Sequence, residues 1–412
     1  MLSKDSFLVS SKPFKKRVTI PTSKSYANRI LILASLCESK VTIKNLPQST
    51  DVLHLIACLK KVGITFQEEG KLLHVTNSFP SCEINDDQPV ILNTGDGGTT
   101  NRFLLPFLGR GRKRYILRPS GKMKTRPMEE LIEGLRTLNV DLNQGGKDED
   151  YALSIQGPID AKMEYLSVDC SRSTQFASGM SMALWDQPLE IKLENFNSSK
   201  SYYEMTVFLG EQLKKGETFF EVPPDFSSLS YPLVLGATLG EVFVEECYSR
   251  DNFQSDSCLL DILEKMGGQL IWKDSGLFIK SPSSLSPLQW DCSNCPDLVP
   301  TLAYLCSYAE GTSCLGQIKV LRHKESDRIL ELEKIFRLFG VAYSYNESSD
   351  ELFIYGKGSE PKNIGFKKHT PAEDHRMVMV TYLFMRKNQG GEVLNASHVK
   401  KSFPNFFDEL DS

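Results

Sequence analysis

The chain has 412 residues, with 48 Lys or Arg against 52 Asp or Glu and a net charge of −4 at pH 7. This length favours two or three domains and excludes a single small binding module, because about three quarters of the unfolded surface can be buried. The near-neutral charge argues against a nucleic-acid-binding protein. No apolar run reaches the ~18 residues of a membrane span, and the N-terminus lacks an apolar stretch of signal-peptide length. The sequence therefore predicts an intracellular protein of the cytoplasm.

Ten cysteines are scattered along the chain. Without an export signal they are expected to be reduced and mostly buried. Only Cys292 and Cys295 lie close together, and half of a zinc-ribbon pattern is weak evidence for a metal site. We therefore expect no bound metal.

A helix followed by a strand, a polar turn and a second strand recurs four times. The helices are predicted to end at Gly63, Asn139, Gly267 and Gly340, where Gly or Asn suits a left-handed C-cap. Leu or Ile at helical spacing precedes each end, and apolar and polar residues alternate in each strand pair. The first two copies are 76 residues apart and the last two 73, and the gap of 128 between the pairs could hold a third, eroded unit. Such a period predicts a duplicated α/β unit; chance recurrence of a common motif is the alternative.

This periodic pattern breaks within residues 221–230, where two prolines interrupt it. Two pseudo-symmetric halves follow from that break. Since ligands often bind between domains, we expect the functional site in a cleft between the halves.

The first chemically rich segment is PTSKSYANRILILASL. Lys24 and Ser25 precede an apolar helix, and Arg29 lies one turn further in. Unpaired amides and the helix dipole favour an anion at a helix N-terminus, and Lys24 adds a full positive charge. A capped helix with a solvated lysine is the alternative.

The second segment is LNTGDGGTTNRFLLPFLG. Gly95, Gly97 and Gly98 let the backbone approach a ligand closely, and Thr99 is predicted to cap the helix that follows. Asp96 is unfavourable in this loop because a carboxylate repels phosphate. The segment lacks the pattern of a nucleotide-binding phosphate loop, and a purely structural turn is the alternative.

The third segment, PSGKMKTRPMEELIEGL, carries Lys122, Lys124 and Arg126 at alternate positions. An extended conformation would place these three cations on one side. Pro127 is predicted to open the next helix at its favoured first position. A solvated basic loop is the alternative.

Two further helix starts carry neutral donors, which suit a phosphate or a sugar-like hydroxyl. They are Ser171, Ser173, Thr174 and Gln175 in the first, and Ser199 and Tyr202 in the second, where Lys200 adds a positive charge. Simple N-capping is the alternative.

The C-terminal part of the chain concentrates charge at two helix starts and in the tail. The charged residues are Lys324, Glu325, Asp327, Arg328, Asp374, His375, Arg376 and Lys401. A surface ion-pair network is the alternative for the first group, whereas the trio 374–376 directly precedes a strongly apolar stretch. So many cation-plus-hydroxyl helix starts in a near-neutral chain predict a cleft that holds more than one phosphate or carboxylate.

Nine motifs occur in the order of a known family. They are SKSYANR, GDGGTTNR, KMKTRP, STQF, SKSY, CPD, KESDR, EDHRM and KSFPNFFDEL. The chain resembles the 5-enolpyruvylshikimate-3-phosphate synthase family from about residue 20 to residue 410. The resemblance implies an α/β (α+β) fold of two similar domains, each of three βαβαββ units, which is the inside-out α/β barrel of enolpyruvyl transferases. It also implies a discontinuous first domain, residues 1–20 plus 224–412, and a second domain, residues 21–223.

The resemblance implies transfer of the enolpyruvyl group of phosphoenolpyruvate to the 5-hydroxyl of shikimate 3-phosphate, with release of phosphate, by a monomer without metal or organic cofactor. Asp297 would be the base for the 5-hydroxyl, Glu325 the proton donor to the methylene, and Lys24 a further catalytic residue. Shikimate 3-phosphate would be held by Lys24, Ser25, Arg29, Ser173, Thr174, Gln175, Ser199, Tyr202, Asp297 and Lys324. Phosphoenolpyruvate would be held by Lys24, Gly98, Lys122, Gln175, Arg328, Arg376 and Lys401.

Three residues depart from the family pattern at positions that matter. Lys122 replaces an Arg and loses its two-pronged contact to phosphate, Asp96 replaces an Asn, and Val320 replaces an Asn that would donate to the first substrate. The replacement of Ser by Thr174 is mild. Each departure could weaken substrate binding by about 1 kcal/mol.

Two other interpretations remain open from the sequence. The departures are compatible with a non-catalytic relative that binds anionic metabolites, although Asp297 and Glu325 are both retained. A related family transfers the same group to UDP-N-acetylglucosamine and carries a cysteine in the loop matching residues 115–125. This chain has no cysteine between Cys82 and Cys170.

Overall fold

The computed structural model describes residues 5–83, 88–145, 153–358 and 364–411. The chain divides into two compact units. We call Thr22–Pro223 the insert unit, and Met1–Pro21 with Pro224–Ser412 the terminal unit. In the described part of the chain, no helix combines the length and apolar character needed to cross a membrane.

The insert unit contains six α-helices and ten β-strands in its described part. The helices are α1 (Lys24–Leu36), α2 (Thr50–Lys61), α3 (Gly98–Leu108), α4 (Glu129–Thr137), α5 (Gln175–Ala183) and α6 (Lys200–Lys214). The strands are β3 (Val41–Lys44), β4 (Phe66–Glu69), β5 (Leu72–Val75), β6 (Val90–Gly95), β7 (Arg114–Pro119), β8 (Asp141–Gln144), β9 (Leu153–Gln156), β10 (Tyr165–Asp169), β11 (Glu190–Glu194) and β12 (Phe219–Glu221).

The terminal unit also combines helices and strands. Its helices are α7 (Phe226–Leu239), α8 (Leu259–Lys265), α9 (Val299–Ser307), α10 (Arg328–Phe339), α11 (His375–Lys387) and α12 (Phe406–Asp411). Its strands are β1 (Ser6–Val9), β2 (Phe14–Val18), β13 (Gly240–Glu245), β14 (Gln269–Lys273), β15 (Gly276–Lys280), β16 (Gln289–Asp291), β17 (Glu310–Gly316), β18 (Ala342–Asn346), β19 (Glu351–Lys357), β20 (Lys367–His369) and β21 (Gly391–Leu394).

Each unit carries two four-stranded sheets and one smaller sheet. The four-stranded sheets have the orders β12-β3-β5-β4, β6-β7-β9-β8, β14-β15-β13-β2 and β16-β17-β19-β18. Each combines one parallel pair with an antiparallel hairpin. The smaller sheets, β10-β11 and β1-β21-β20, contain no such hairpin among their described strands. The predicted α/β fold is confirmed, and the hairpin-free third repeat explains why only two repeats per unit were visible in the sequence.

The four repeat ends adopt the backbone conformation that the sequence predicts. Gly63, Asn139, Gly267 and Gly340 have φ values of +105°, +58°, +99° and +60°. Gly and Asn enter this left-handed region most readily, so the chain turns there from helix into hairpin. The polar turn predicted for the second repeat falls on residues 146–152, outside the described residues.

The basic segment after β7 differs from the predicted extended stretch. Residues Gly121–Thr125 form a 3₁₀ turn, which begins at a left-handed Gly121 (φ +50°) and buries Met123. The segment is therefore a turn and not the predicted extended stretch; Lys122 and Lys124 are exposed. Helix α4 also begins two residues after Pro127, and Gly97 rather than Thr99 caps α3.

Three helices pack together at the centre of each unit: α1, α3 and α5 in the insert unit, and α7, α9 and α11 in the terminal unit. Every residue of α3 and of α11 is buried. Helices this apolar on all sides belong in a core. The sequence motifs lie at their N-terminal ends, while α11 also carries the buried Arg386 and Lys387 in its last turn.

Candidate active site

Lys24 is held at the start of an otherwise buried helix. It is the first residue of α1, and the buried hydroxyl of Ser23 caps the helix by accepting a hydrogen bond from the backbone N–H of Tyr26. Its Nζ lies 3.0 Å from Oδ2 of Asp51, whose side chain is 1% exposed. Residues 27–36 of α1 are all buried, so only Lys24, Ser25 and Tyr26 at this end of the helix reach the surface of the unit.

Asp51 connects Lys24 with the glycine-rich loop. The hydroxyl of Thr100 donates to the backbone carbonyl of Asp51 at 3.1 Å. A Cβ on Gly97 would lie 2.7 Å from Oδ1 of Asp51, and a Cβ on Gly98 would collide with the guanidinium of Arg126. These two glycines are required because side chains from other segments occupy the space where their own would be.

Arg102, which the sequence interpretation did not assign to the site, joins three of its segments. Its Nη1 donates to Oε1 of Gln175 at 2.9 Å and to the hydroxyl of Ser173 at 3.3 Å, and its Nη2 donates to the carbonyl of Pro127 at 2.9 Å. The amide of Gln175 in turn donates to the hydroxyl of Thr99 at 3.2 Å. The only sequence signal for Arg102 is its place at the end of GDGGTTNR, since its partners lie far along the chain.

Arg29 is a buried cation with several neutral partners. It is 2% exposed, and its Nε donates to the hydroxyl of Thr206 at 2.7 Å and to the carbonyl of Tyr202 at 3.1 Å. Its Nη1 donates to the carbonyl of Ser25 at 2.8 Å, and its guanidinium lies over the ring of Phe103. Burial lowers the pKa of Arg29 to about 10, so the residue stays charged at neutral pH.

Three other predicted residues of this unit have clear positions. Thr174 is buried at the N-cap of α5, and Ser199 caps α6 in a left-handed conformation with φ +54°. Lys122 is exposed on the 3₁₀ turn. A Cβ on the neighbouring Gly121 would lie 3.5 Å from Cβ of Asp96, so two of the departing positions are close in space.

Asp297 of the terminal unit is surrounded by three cations. Its Oδ1 lies 2.9 Å from Nη1 of Arg328 and 3.5 Å from Nζ of Lys324, and its Oδ2 lies 3.2 Å from Nη2 of Arg376. Burial by itself would raise the pKa of Asp297, but Arg376, Lys324 and Arg328 outweigh that effect and hold it well below its ordinary value. Asp297 is therefore ionised and able to accept a proton.

Arg328 forms a buried fork between two carboxylates. Besides Asp297, it contacts Asp374 through Nε at 2.8 Å and Nη2 at 3.2 Å. Asp374 is fully buried and caps α11 by accepting from the backbone N–H of Arg376. This double use of Asp374 fixes both the start of α11 and the orientation of Arg328.

Glu325 lies between two potential proton donors. Its Oε2 is 2.9 Å from Nδ1 of His375 and its Oε1 is 3.2 Å from Nζ of Lys401, which is 5% exposed. Burial opposes the charged form, yet His375 and Lys401 hold the pKa of Glu325 well below its ordinary value. His375 was noted in the sequence but not assigned to the site, because its contact with Glu325 joins positions 50 residues apart.

Glu325, Asp374 and His375 also place ligand atoms within 4.8 Å of one another, a spacing that could suit a metal ion. Arg328 and Lys401 already bind the two carboxylates. A metal ion would have to compete with these cations, so the cluster is better described as an acid–base network.

The structure thus collects the predicted residues into one group in the terminal unit and two in the insert unit. The terminal group is Asp297, Lys324, Glu325, Arg328, Arg376 and Lys401. The first insert group joins Ser173 and Gln175 to the glycine-rich loop, next to Lys24 and Asp51. The second joins Ser25, Arg29 and Tyr202.

Comparisons with known proteins identify relatives of the whole chain. The family model described as "EPSP synthase (3-phosphoshikimate 1-carboxyvinyltransferase)" matches residues 9–211 and 197–410. The chain is 31% identical to the 3-phosphoshikimate 1-carboxyvinyltransferase of Pyrococcus furiosus over 424 residues, covering 98% of each chain. It is 27% identical to that of Hamiltonella defensa over 421 residues, covering 95% of each. A solved structure of EPSP synthase from Acinetobacter baumannii has a similar fold, with a TM-score of 0.76, 20% identity and coverage of 98% of this chain and 96% of that one.

Proposed function

The chain belongs to the EPSP synthase (3-phosphoshikimate 1-carboxyvinyltransferase) family. From that membership we propose which residues bind the substrates and which transfer protons. The protein is an enolpyruvyl transferase of the shikimate pathway. It transfers the enolpyruvyl group of phosphoenolpyruvate to the 5-hydroxyl of shikimate 3-phosphate and releases phosphate. Neither the UDP-N-acetylglucosamine transferase nor the non-catalytic alternative is favoured by this membership.

The observation that carries the assignment of roles is the cage of three cations around Asp297. The transfer begins when the 5-hydroxyl oxygen attacks C2 of phosphoenolpyruvate, and the hydroxyl proton must go to a base. Asp297 is ionised, because Arg376, Lys324 and Arg328 favour its charged form, and we assign it as the acceptor of that proton. Asp297 is accordingly the base.

The proton that C3 of phosphoenolpyruvate receives comes from the Glu325 network. Glu325 is ionised when the site is empty, since His375 and Lys401 depress its pKa. The proton reaching C3 therefore originates on His375 or Lys401 and passes through Glu325, which is a refinement of the simple proton-donor role. The resulting tetrahedral intermediate then loses a proton from its methyl group back to this network as the phosphate leaves.

We assign a set of binding residues to each of the two substrates. Both substrates are multiply anionic and require fixed cations and donors. Phosphoenolpyruvate is bound through Lys24, Gly98, Lys122, Gln175, Arg328, Arg376 and Lys401, with Arg102 and Arg126 added because they contact the same segments. Shikimate 3-phosphate is bound through Lys24, Ser25, Arg29, Ser173, Thr174, Gln175, Ser199, Tyr202, Asp297 and Lys324.

The reaction is tested by phosphate release from phosphoenolpyruvate, with shikimate 3-phosphate or UDP-N-acetylglucosamine as acceptor. We expect release with shikimate 3-phosphate alone and its loss in Asp297→Ala. Saturable binding of shikimate 3-phosphate without turnover would contradict the assignment and support a metabolite-binding relative. We also propose that the enzyme acts as a monomer, as the family resemblance implies; sedimentation at working concentration tests this.

A further inference from the structure

Asn101 is a buried polar residue of the insert unit that has no part in the substrate assignments above. It directly precedes Arg102 on α3 and is 3% exposed. Burying an amide side chain is unfavourable unless its donors and its acceptor find partners. The hydrogen-bond partners of the Asn101 side chain all belong to residues 94–97, the glycine-rich loop that leads into α3.

The amide nitrogen of Asn101 donates back to carbonyls of this loop. Its shortest bond, 2.8 Å, goes to the carbonyl of Gly97, which also accepts from the backbone N–H of Asn101 at 3.1 Å. Longer contacts of 3.4 and 3.5 Å join Nδ2 to the carbonyls of Gly95 and Thr94. One amide group therefore ties the end of β6 to the first turn of α3.

Thr94 determines which way the amide faces. Thr94 is fully buried, and its hydroxyl donates to Oδ1 of Asn101 at 2.5 Å. A reversed amide would place its oxygen against the carbonyl of Gly97, where two acceptors would meet. Asn101 also lines a cavity of about 150 Å³ together with Leu117 and Met123. Because that cavity leaves space beside the side chain, hydrogen bonds rather than close packing fix its orientation.

The restraint matters because the loop is rich in glycine. Gly95 is left-handed, with φ +69°, and glycine exchanges such a conformation for others at little cost. Gly98, the first residue of α3, can bind a ligand only through its backbone, whose N–H has no partner within the helix. Movement of the loop would therefore move this donor, and the bonds of Asn101 oppose that movement.

We propose that Asn101 is a positioning residue, which holds the glycine-rich loop in the conformation in which the N–H of Gly98 binds phosphoenolpyruvate. Asn101 touches neither substrate in this role and acts through the carbonyl of Gly97. The effect on phosphoenolpyruvate rests on the proposed assignment of Gly98, whereas the restraint of the loop does not.

The test compares the full-length wild type with Asn101→Leu, which removes the donors and the acceptor at similar size. Peptides covering residues 94–102 should exchange their amide hydrogens for deuterium at least tenfold faster in the variant. The KM for phosphoenolpyruvate should rise at least tenfold, while the KM for shikimate 3-phosphate should change by less than threefold. Phosphate release measures both constants.

Asn388→Leu is the matched control for the loss of a buried asparagine. Asn388 is 5% exposed in the terminal unit, and its Nδ2 donates to the carbonyl of Phe384 at 2.7 Å and to the hydroxyl of Tyr308 at 2.9 Å. Its replacement should lower stability, but should leave the exchange of residues 94–102 and the KM for phosphoenolpyruvate unchanged. A merely structural role for Asn101 would make the two variants alike.

Thr94 provides a milder second probe. Thr94→Val removes the hydroxyl that donates to Oδ1 of Asn101 and should raise the KM for phosphoenolpyruvate about threefold. Thr94→Ser keeps the hydroxyl and should match the wild type. The effect of Thr94→Val should disappear in the Asn101→Leu background, because the hydroxyl acts through Asn101.

The outcomes separate the parts of the proposal. Unchanged exchange in Asn101→Leu would overturn the restraint of the loop, and faster exchange with an unchanged KM would overturn its link to phosphoenolpyruvate. If Asn101→Leu does not fold, equal KM values in Thr94→Val and Thr94→Ser would overturn the positioning role. Failure of the proposed function is seen separately, as absent phosphate release by the wild type, and the exchange measurement does not depend on it.

Discussion

The two units share an architecture but carry opposite chemistry at the starts of their central helices. In the insert unit, α1, α3 and α5 are capped by Ser23, Gly97 and Thr174 and have no acidic residue in their first turns. In the terminal unit, α7 and α11 are capped by Asp225 and Asp374, and Asp297 immediately precedes α9. Paired with Arg328 and Arg376, Asp297 and Asp374 form an internally neutralised network.

This difference shows that two units with the same fold offer different chemical groups at their central helix starts. The central helices of the insert unit have neutral caps, and with Lys24, Arg102 and Arg126 nearby they favour anionic ligands, although Asp51 pairs with Lys24. Carboxylates held among cations, such as Asp297 and Glu325, have lowered pKa values and are ionised at neutral pH. We propose that both units hold anionic groups and that the two proton-transfer carboxylates belong to the terminal unit.

The largest effect is expected from breaking the terminal network at its base. Asp297→Asn removes the proton acceptor and leaves three cations without their shared carboxylate, so kcat should fall by about 10²–10⁴-fold. Steady-state phosphate release measures this, with thermal unfolding as a check on folding. Asp350→Asn is the matched control, because Asp350 lies in a hairpin turn of the same unit and accepts from Lys319 and Tyr345. Equal losses in both variants would contradict the assignment.

Arg328→Lys tests whether the fork, rather than the charge alone, organises the terminal unit. Lysine cannot reach Asp297 and Asp374 together with planar geometry, so the free energy of unfolding should fall by about 2–4 kcal/mol and the KM for phosphoenolpyruvate should rise. Denaturant unfolding and kinetics measure the two effects. Arg337→Lys, at an exposed pair with Glu333, should change stability by less than about 0.5 kcal/mol.

Asp256→Asn tests a buried carboxyl of the terminal unit whose charged form Arg376 favours less strongly than burial and Asp297 oppose it. Asp256 is 1% exposed and accepts a hydrogen bond from the hydroxyl of Ser227. Burial and the charge of Asp297 raise its pKa to about 7. The native state therefore binds this proton more tightly than the unfolded chain, and the stability it contributes is complete below about pH 4 and lost as pH rises through 7.

The Asn variant is neutral at every pH and keeps an oxygen for Ser227. The free energy of unfolding of the variant minus that of the wild type should be larger at pH 8 than at pH 5, by on the order of 2 kcal/mol or more. Urea unfolding at both pH values measures the difference. A pH-independent difference would show that Asp256 is already charged in the native protein at pH 5.

The smallest effect is expected from adding one methyl group in the insert unit. Gly98→Ala displaces the guanidinium of Arg126, so the KM for phosphoenolpyruvate should rise about tenfold, which equals about 1.4 kcal/mol. Stability should change little, because Arg126 is only partly buried and can move. Gly210→Ala in α6 is the control, since no atom lies within 4 Å of its added Cβ. A rise in KM in both variants would argue against the contact with Arg126.

The sequence alone determined the features that depend on neighbours along the chain. The left-handed ends at Gly63, Asn139, Gly267 and Gly340, and the hairpins after them, follow from local backbone preferences and side-chain alternation. Family membership is likewise readable from short motifs in order. Local signals failed at the segment after β7, where the predicted extended stretch is a 3₁₀ turn that begins at the left-handed Gly121, and at the exact starts of α3 and α4.

Only the tertiary structure decided which charges meet. Arg102 reaches Gln175 across 73 positions, and Glu325 reaches His375 across 50. No local rule predicts such pairs, because their geometry is set by how buried helices pack and not by the residues between them. The types of chemistry were therefore visible in the sequence, whereas the protonation states and partners were established by the fold.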